Sequence, residues 1–237
     1  MPGKTLLILG SGPGIGVAVG QVFSVRGFTH IALVSRDSNR LKEDQDKVLD
    51  AIQERGYSCQ VKTWACDLTD LNALKSLLNE IEDFGSLECV FFNPARVAGK
   101  PPLEESTEMI LKDFTLTNLA LYETAKWAIP LLKQASSDSS PSFIVTSTNQ
   151  LWKEPFPDLV SLSMVKSAQR ALVLSIHAKF GEDVHVALLS VGGVVSPAKK
   201  NLSPMSIAER CYELYKQPKG KWEREIEITA AEGEEVS

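Results

Sequence analysis

The sequence predicts a doubly wound α/β domain: a mostly parallel, seven-stranded sheet with helices on both faces. Three observations predict it. Apolar runs of strand length alternate with stretches of helical period. Several runs are continuous, such as Leu6-Leu7-Ile8-Leu9 and Val186-Ala187-Leu188-Leu189, which suits strands covered on both faces. The first run ends in a glycine cluster, Gly10-Ser11-Gly12-Pro13-Gly14-Ile15-Gly16, that opens a helix.

In chain order, strands are expected at Thr5–Leu9, His30–Ser35, Ser58–Cys66, Glu88–Phe92, Ser142–Ser147 and Val184–Ser190, with Glu225–Thr229 as a last edge strand. Helices are expected at Ile15–Arg26, Asn39–Arg55, Leu71–Phe84, Thr107–Gln134 and Pro157–Phe180. Ser203-Pro204 reads as an N-cap followed by proline at the first helical position, which places a further helix over Pro204–Tyr215. In Arg36–Arg55, Leu41, Val48, Leu49 and Ile52 recur at helical spacing, so the charges between them form a solvated face. Ser136–Ser140 reads as a loop, and the acidic tail Ala230–Ser237 as a frayed end.

A chain of 237 residues suits one domain, 1–237, with a sizeable core. Lys and Arg total 25 against 30 Asp and Glu, for a net charge of −5. That balance gives no general attraction to nucleic acid or anionic lipid. The apolar run near the N-terminus is too short for a signal peptide or a membrane span. Cys59, Cys66, Cys89 and Cys211 form no Cys-x-x-Cys pair, which points to reduced, mostly buried thiols rather than disulfides or a metal site. The expectation is a cytoplasmic protein with a small-molecule substrate, no nucleic-acid partner and no membrane partner.

The glycine cluster has a physical purpose. The chain must turn sharply, its backbone must approach a pyrophosphate, and the helix must pack closely on the strand. The helix N-terminus then offers free N–H groups and the positive end of its dipole to an anion. A glycine cluster by itself is weak evidence; a strand before it and a helix after it supply the confirming context for a dinucleotide-binding Rossmann fold.

The spacing Gly10-x-x-x-Gly14-x-Gly16 resembles that of the short-chain dehydrogenases/reductases, and the resemblance covers nearly the whole chain. It implies that Gly10, Ser11, Gly14, Ile15 and Gly16 surround the cofactor's phosphates. At the end of the second strand it puts Ser35-Arg36 where an NAD-preferring relative has an acidic residue. A guanidinium there can pair with an adenosine 2′-phosphate, so the cofactor expected is NADP(H). Asp67-Leu68 is similar to the adenine contact, and Asn93-Pro94-Ala95 to an Asn-Asn-Ala-Gly turn, with Pro94 and Arg96 as departures. Asn118 falls where the family has a structural and catalytic Asn. Val191-Gly192-Gly193-Val194 resembles a Pro-Gly-x-Val turn near the nicotinamide, with Val191 for the proline.

The family's signature pairs a Ser with Tyr-x-x-x-Lys, so that Tyr and Lys lie one turn apart on a helix. The matching stretch here is Leu162-Ser163-Met164-Val165-Lys166. The lysine is present, and the tyrosine position holds Leu162. The upstream hydroxyl is Thr148 or Ser147. No obvious acid replaces the phenol. His177 lies 15 residues beyond Leu162, about 22 Å along a helix. His30 and His185 stand at strand starts, the wrong end of the sheet for a ligand. Tyr122 is expected to pack against a neighbouring helix, and Lys153 and Glu154 to be a solvated pair.

Three functions stay open: an NADP(H)-dependent carbonyl, imine or enone reductase with non-standard proton delivery; a non-redox enzyme such as a cyclase, isomerase or dehydratase; and an inactive NADP(H)-binding module. Segments 99–105, 150–157 and 196–206 are the substrate loops. Trp152, Phe156 and Met205 within them suggest an apolar pocket. Assembly as a homodimer or homotetramer is left open.

Overall fold

The computed structural model describes residues 3–134 and 140–232. Seven strands form one sheet in the order β3-β2-β1-β4-β5-β6-β7: β1 Lys4–Leu9, β2 His30–Ser35, β3 Gln60–Ala65, β4 Ser86–Phe92, β5 Ser142–Ser147, β6 His185–Gly192 and β7 Glu225–Thr229. All six pairings are parallel. The helices are α1 Ile15–Ser24, α2 Ser38–Arg55, α3 Leu71–Glu82, α4 Thr107–Phe114, α5 Ala120–Leu132, α6 Asn149–Lys153, α7 Val160–Phe180 and α8 Pro204–Tyr215.

Strand alternation divides the core into two layers. Leu6, Ile8, Ile31 and Leu33 pack with α1, α2 and α8 on one face. Leu7, Leu9, Ala32 and Val34 pack with α3, α5 and α7 on the other. The strand order reverses between β1 and β4, so the crevice beyond their carboxyl ends lies at a topological switch point. Gly10 and Asn93 follow those two ends.

Four sequence expectations are corrected. The expected helix Thr107–Gln134 is α4 and α5 joined by a π-helical turn at Thr115–Leu119, closed by Ala120 N–H donating to Thr115 O. The segment 150–157 is not all loop, since α6 covers Asn149–Lys153. On α2 the inward stripe is Leu41, Asp44, Val48 and Ile52, while Leu49 is 41% exposed. Tyr122 is 52% exposed on α5 and lines a surface cavity with Ile176 and Phe180 of α7 rather than being buried between helices. The loop expected at Ser136–Ser140 falls largely, and the tail Ala230–Ser237 partly, outside the described residues.

Candidate functional site

The turn after β1 is shaped by its glycines. Gly10 has φ +87°, and a Cβ there would stand 2.8 Å from Pro94 N. A Cβ on Gly16 would stand 2.7 Å from Gly10 O. The first glycine thus lets the turn cross beside the loop after β4, and the last lets α1 close on the turn. Gly12 and Gly14 face open space instead. Gly10 N–H and Ser11 N–H both donate to Val34 O at 2.9 Å, which fixes the turn to β2.

Helices α2, α3, α4 and α8 are capped by the side chains of Asp37, Asp70, Ser106 and Ser203. α1 begins at Gly14 with no side-chain cap and no acidic residue in its first turn. Its positive end is left to whatever enters the crevice. Ser11, Ser35, Arg36, Leu68, Asn93 and Pro94 help to line a cavity of about 220 Å³ there. Asn93 braces it: its Nδ2 donates to Gly10 O at 3.0 Å and its N–H to Leu9 O at 2.8 Å. Asp67 Oδ1 accepts from Thr69 N–H at 3.0 Å and Thr69 Oγ1 at 2.8 Å. The backbone bond from Thr69 does most to hold that carboxyl below its usual range, with help from Thr69 Oγ1, Arg36 and Lys112.

The second half of the crevice is built on α7, β5 and the π-helical turn. Asn118 lies in that turn, a backbone irregularity common at functional sites. Its Nδ2 donates to Val165 O at 3.2 Å, while its Oδ1 is buried without a partner. Lys166 is buried; its Nζ donates to Thr146 O at 3.0 Å and to Gln169 Oε1 at 2.9 Å. Burial pulls its pKa down to about 8. Leu162 is buried with Leu151 and Val165, and Leu159 packs against them. Ser147 Oγ and Thr146 Oγ1 are buried and unpartnered, whereas Thr148 is half-buried at the N-cap of α6. Unsatisfied buried oxygens are costly. Asn118 Oδ1 and Ser147 Oγ, uncommitted beside Lys166, fit a ligand that brings hydroxyl donors, as a nicotinamide riboside does. Gly192 ends β6 buried, and Val194 is 57% exposed beyond it.

Two residues of this region were passed over in the sequence. Gln169 lies three residues after Lys166 on the buried stripe Leu162, Val165, Lys166, Gln169 and Val173; a fully buried amide among apolar neighbours was the available signal. Arg96 stood out only as a departure from a motif. Its Nε and Nη2 donate to the two Asp113 oxygens at 2.8 Å each, and Nη2 to Glu105 Oε2 at 2.7 Å. Asp113 also accepts from Ser161 Oγ at 2.6 Å. This network joins the loop after β4, α4 and the first turn of α7, one residue before Leu162. The bonds from Arg96 to Asp113, and then to Glu105, raise its pKa further.

The remaining candidates lie elsewhere. His177 Nδ1 donates to Val186 O at 2.9 Å. His30 and His185 stand at strand starts, as expected. Lys153 is paired with Glu227 at 2.7 Å. Arg170 stacks 4.2 Å over the Trp152 ring, which ties α6 to α7.

An open parallel sheet with an uncapped helix at its switch point, and a buried lysine across the crevice, defines a dinucleotide-type α/β fold. Residues 4–206 match the family described as short chain dehydrogenase, and the chain belongs to that family. Rabbit L-fucose dehydrogenase is 24% identical over 235 residues, covering 97% of this chain and 77% of that protein. The alcohol dehydrogenase of the archaeon Thermococcus sibiricus, solved with 5-hydroxy-NADP, superposes with a TM-score of 0.79 at 23% identity, covering 94% and 95% of the two chains. An NADH-dependent reductase solved with NAD gives a TM-score of 0.79 at 18% identity, covering 96% and 95%. At these identities the structures share the fold.

Proposed function

We propose that this chain is an NADP(H)-dependent reductase that acts on a small apolar carbonyl, imine or activated enone without a tyrosine proton donor. The observation that carries this reading is the pair Leu162 and Lys166. The lysine of the family's signature is in place, and one turn before it stands a buried leucine instead of a phenol. Gly10, Ser11, Gly14, Ile15 and Gly16 would hold the phosphates, and Arg36 at the cavity rim would pair with a 2′-phosphate. Asp67 and Leu68 would border the adenine, and Asn93, Lys166, Gly192 and Val194 the nicotinamide end. Ser35 would lie beside the adenosine ribose. When bound, the cofactor would supply the hydride.

The chain's own residues supply the rest. Leu162, clustered with Leu151 and Val165, would put an apolar wall where the family has its phenol. Ser147 Oγ, buried and unpartnered, or Thr148 can bond a substrate oxygen. A substrate that needs little protonation suits such a wall, because positioned acid–base catalysis is what the leucine cannot provide. The complex of the Thermococcus enzyme with an NADP derivative supports the cofactor class, and the NAD complex of the other neighbour leaves Arg36 as the argument for NADP(H).

One observation favours a second reading. Lys166 Nζ is turned into the fold by Thr146 O and Gln169, which suits a module that binds NADP(H) without turning it over. Mass spectrometry of what co-purifies, followed by NADPH consumption on a panel of imines, enones and ketones, separates the two. Tight binding with no consumption on any of them would leave the binding module.

A further inference from the structure

α2 lays four side chains inward at Leu41, Asp44, Val48 and Ile52. Helical periodicity asks for an apolar residue at each, and the second is a carboxylate with no exposed surface. A buried carboxylate needs hydrogen-bond partners. Asp44 has one: its Oδ2 accepts from Ser11 Oγ at 2.8 Å, and its Oδ1 has none. Ser11 is the second residue of the glycine turn and lines the cavity beside Arg36 and Asn93. A half-satisfied acid in an apolar stripe, directly behind an anion-binding turn, breaks a local rule of folding, and such breaks mark functional positions.

We propose that Asp44 takes up a proton when a dinucleotide phosphate settles on the turn, so that Asp44 and Ser11 become donors in series aimed at that phosphate. The inference rests on the cofactor reading above. Ionised, Asp44 can only accept. Ser11 then spends its one hydroxyl proton on Asp44 and presents lone pairs to an anion. Protonated, Asp44 donates its O–H to Ser11 Oγ, and the Ser11 proton turns to a phosphate oxygen. The proton comes from solvent; no covalent bond to carbon or phosphorus changes.

The surroundings favour this direction. Burial raises the Asp44 pKa above 3.8; the bond from Ser11 opposes it, as do Lys47 and Arg40, and Glu43 adds to it. Those three charged groups are on α2 itself. α1, packed against α2, carries no ionisable side chain. β2 and β3 carry only His30, at the far end of its strand, and Lys62, whose ammonium lies over the Trp64 and Phe84 rings in the other core layer. A phosphate arriving at Ser11 is a further negative charge and raises the pKa again.

Calorimetry in two buffers of different ionisation heat, from mildly acidic to mildly alkaline pH, reads the proton directly. NADH is the probe beside NADPH, because its pyrophosphate does not titrate there, whereas a 2′-phosphate does. The wild type is expected to take up protons on binding and to lose affinity as pH rises, by no more than about tenfold per unit. Asp44→Asn can donate its amide to Ser11 permanently, so it is expected to bind tighter at alkaline pH with a flattened profile. Ser11→Ala cuts the series and is expected to weaken binding severalfold at the acidic end. Without ligand, the wild type should lose stability as pH rises above 3.8, relative to Asp44→Asn, because the folded state holds the proton longer. Binding without proton uptake in the wild type, a measurement that needs no variant, overturns the relay alone. No binding of either dinucleotide overturns the cofactor reading and the relay with it.

Discussion

Lys166 and Gln169 lie one turn apart on α7, and Lys166 Nζ donates to Gln169 Oε1 at 2.9 Å. Gln169 Nε2 reaches Thr117 O in the π-helical turn at 3.4 Å. The lysine is therefore braced between β5, through Thr146 O, and the irregular turn that carries Asn118. Its ammonium is buried with dipoles and no carboxylate, which is why its pKa falls rather than rises.

A stability signature follows from that burial. The folded-state pKa of Lys166 is about 8, against 10.5 for the ordinary side chain. Between those values the unfolded chain binds the proton and the folded chain does not, so this group makes stability rise with pH across the window. Relative to Lys166→Met, the wild type should gain on the order of 3 kcal/mol over it. Urea denaturation of both proteins across the window measures the difference, and parallel profiles would show that Lys166 is not desolvated.

Gln169→Leu removes the lysine's side-chain acceptor and leaves the ammonium with Thr146 O alone. Loss of a buried bond to a charged group costs about 1.5–3 kcal/mol. The variant should melt lower, and Gln169→Glu should raise the Lys166 pKa, because a carboxylate favours the ammonium. An unchanged lysine titration in the Glu variant, followed by NMR, would contradict the pairing.

On the proposed reading, Arg36 should set the preference for NADP(H). It stands at the cavity rim just after β2, which ends in Ser35 rather than an acidic residue. Arg36→Ala should weaken NADP(H) by about 1.5–3 kcal/mol, the range for a bond to a charged partner, and leave NAD(H) nearly unchanged. Calorimetry with both dinucleotides decides it; equal losses would mean that Arg36 holds the turn rather than a 2′-phosphate.

The Arg96 network should be a structural pin for the substrate side. Asp113 is buried and Arg96 is 29% exposed at its side chain, so Arg96→Ala strands a carboxylate with Ser161 alone. Breaking such a pair costs about 2–3 kcal/mol here, below the fully buried range because the guanidinium is partly solvated. Thermal denaturation should show that loss, and Asp113→Asn a smaller one.

Much of this architecture was legible in the sequence because it rests on local signals. Runs of strand length, several of them continuously apolar, placed the seven strands, and the glycine turn placed the switch point. What escaped depends on contacts between distant segments. Asp44 and Gln169 are polar residues in apolar stripes whose partners, Ser11 and Thr117, lie 33 and 52 positions away. The π-helical turn leaves no residue pattern, since one extra residue per turn changes neither composition nor hydrophobic spacing enough to notice. Tyr122 failed for a simpler reason: burial tendency is an average, and this residue faces outward.

On the proposed reading, Leu162 should decide the chemistry. Its side chain is buried against Leu151 and Val165, one turn from a lysine already desolvated. The wild type should therefore fail to interconvert simple secondary alcohols and ketones, because a positioned acid–base group is worth about 10²–10⁴-fold in rate and the leucine supplies none. Leu162→Tyr puts a phenol at the position one turn before Lys166, where the ammonium would lower its pKa. The rotamer must turn from the leucine cluster toward the crevice, and Ser147 or Thr148 must share the substrate oxygen. If they do, NADPH-coupled ketone reduction should rise by at least about tenfold over the wild type, at the low end of that range. The bell of its pH profile should carry a limb from the new phenol, absent in Leu162→Phe, which fills the same space without the hydroxyl. Turnover of simple ketones by the wild type at about 1–10³ s⁻¹ would show that another residue has taken over the proton, and that the leucine is a bystander.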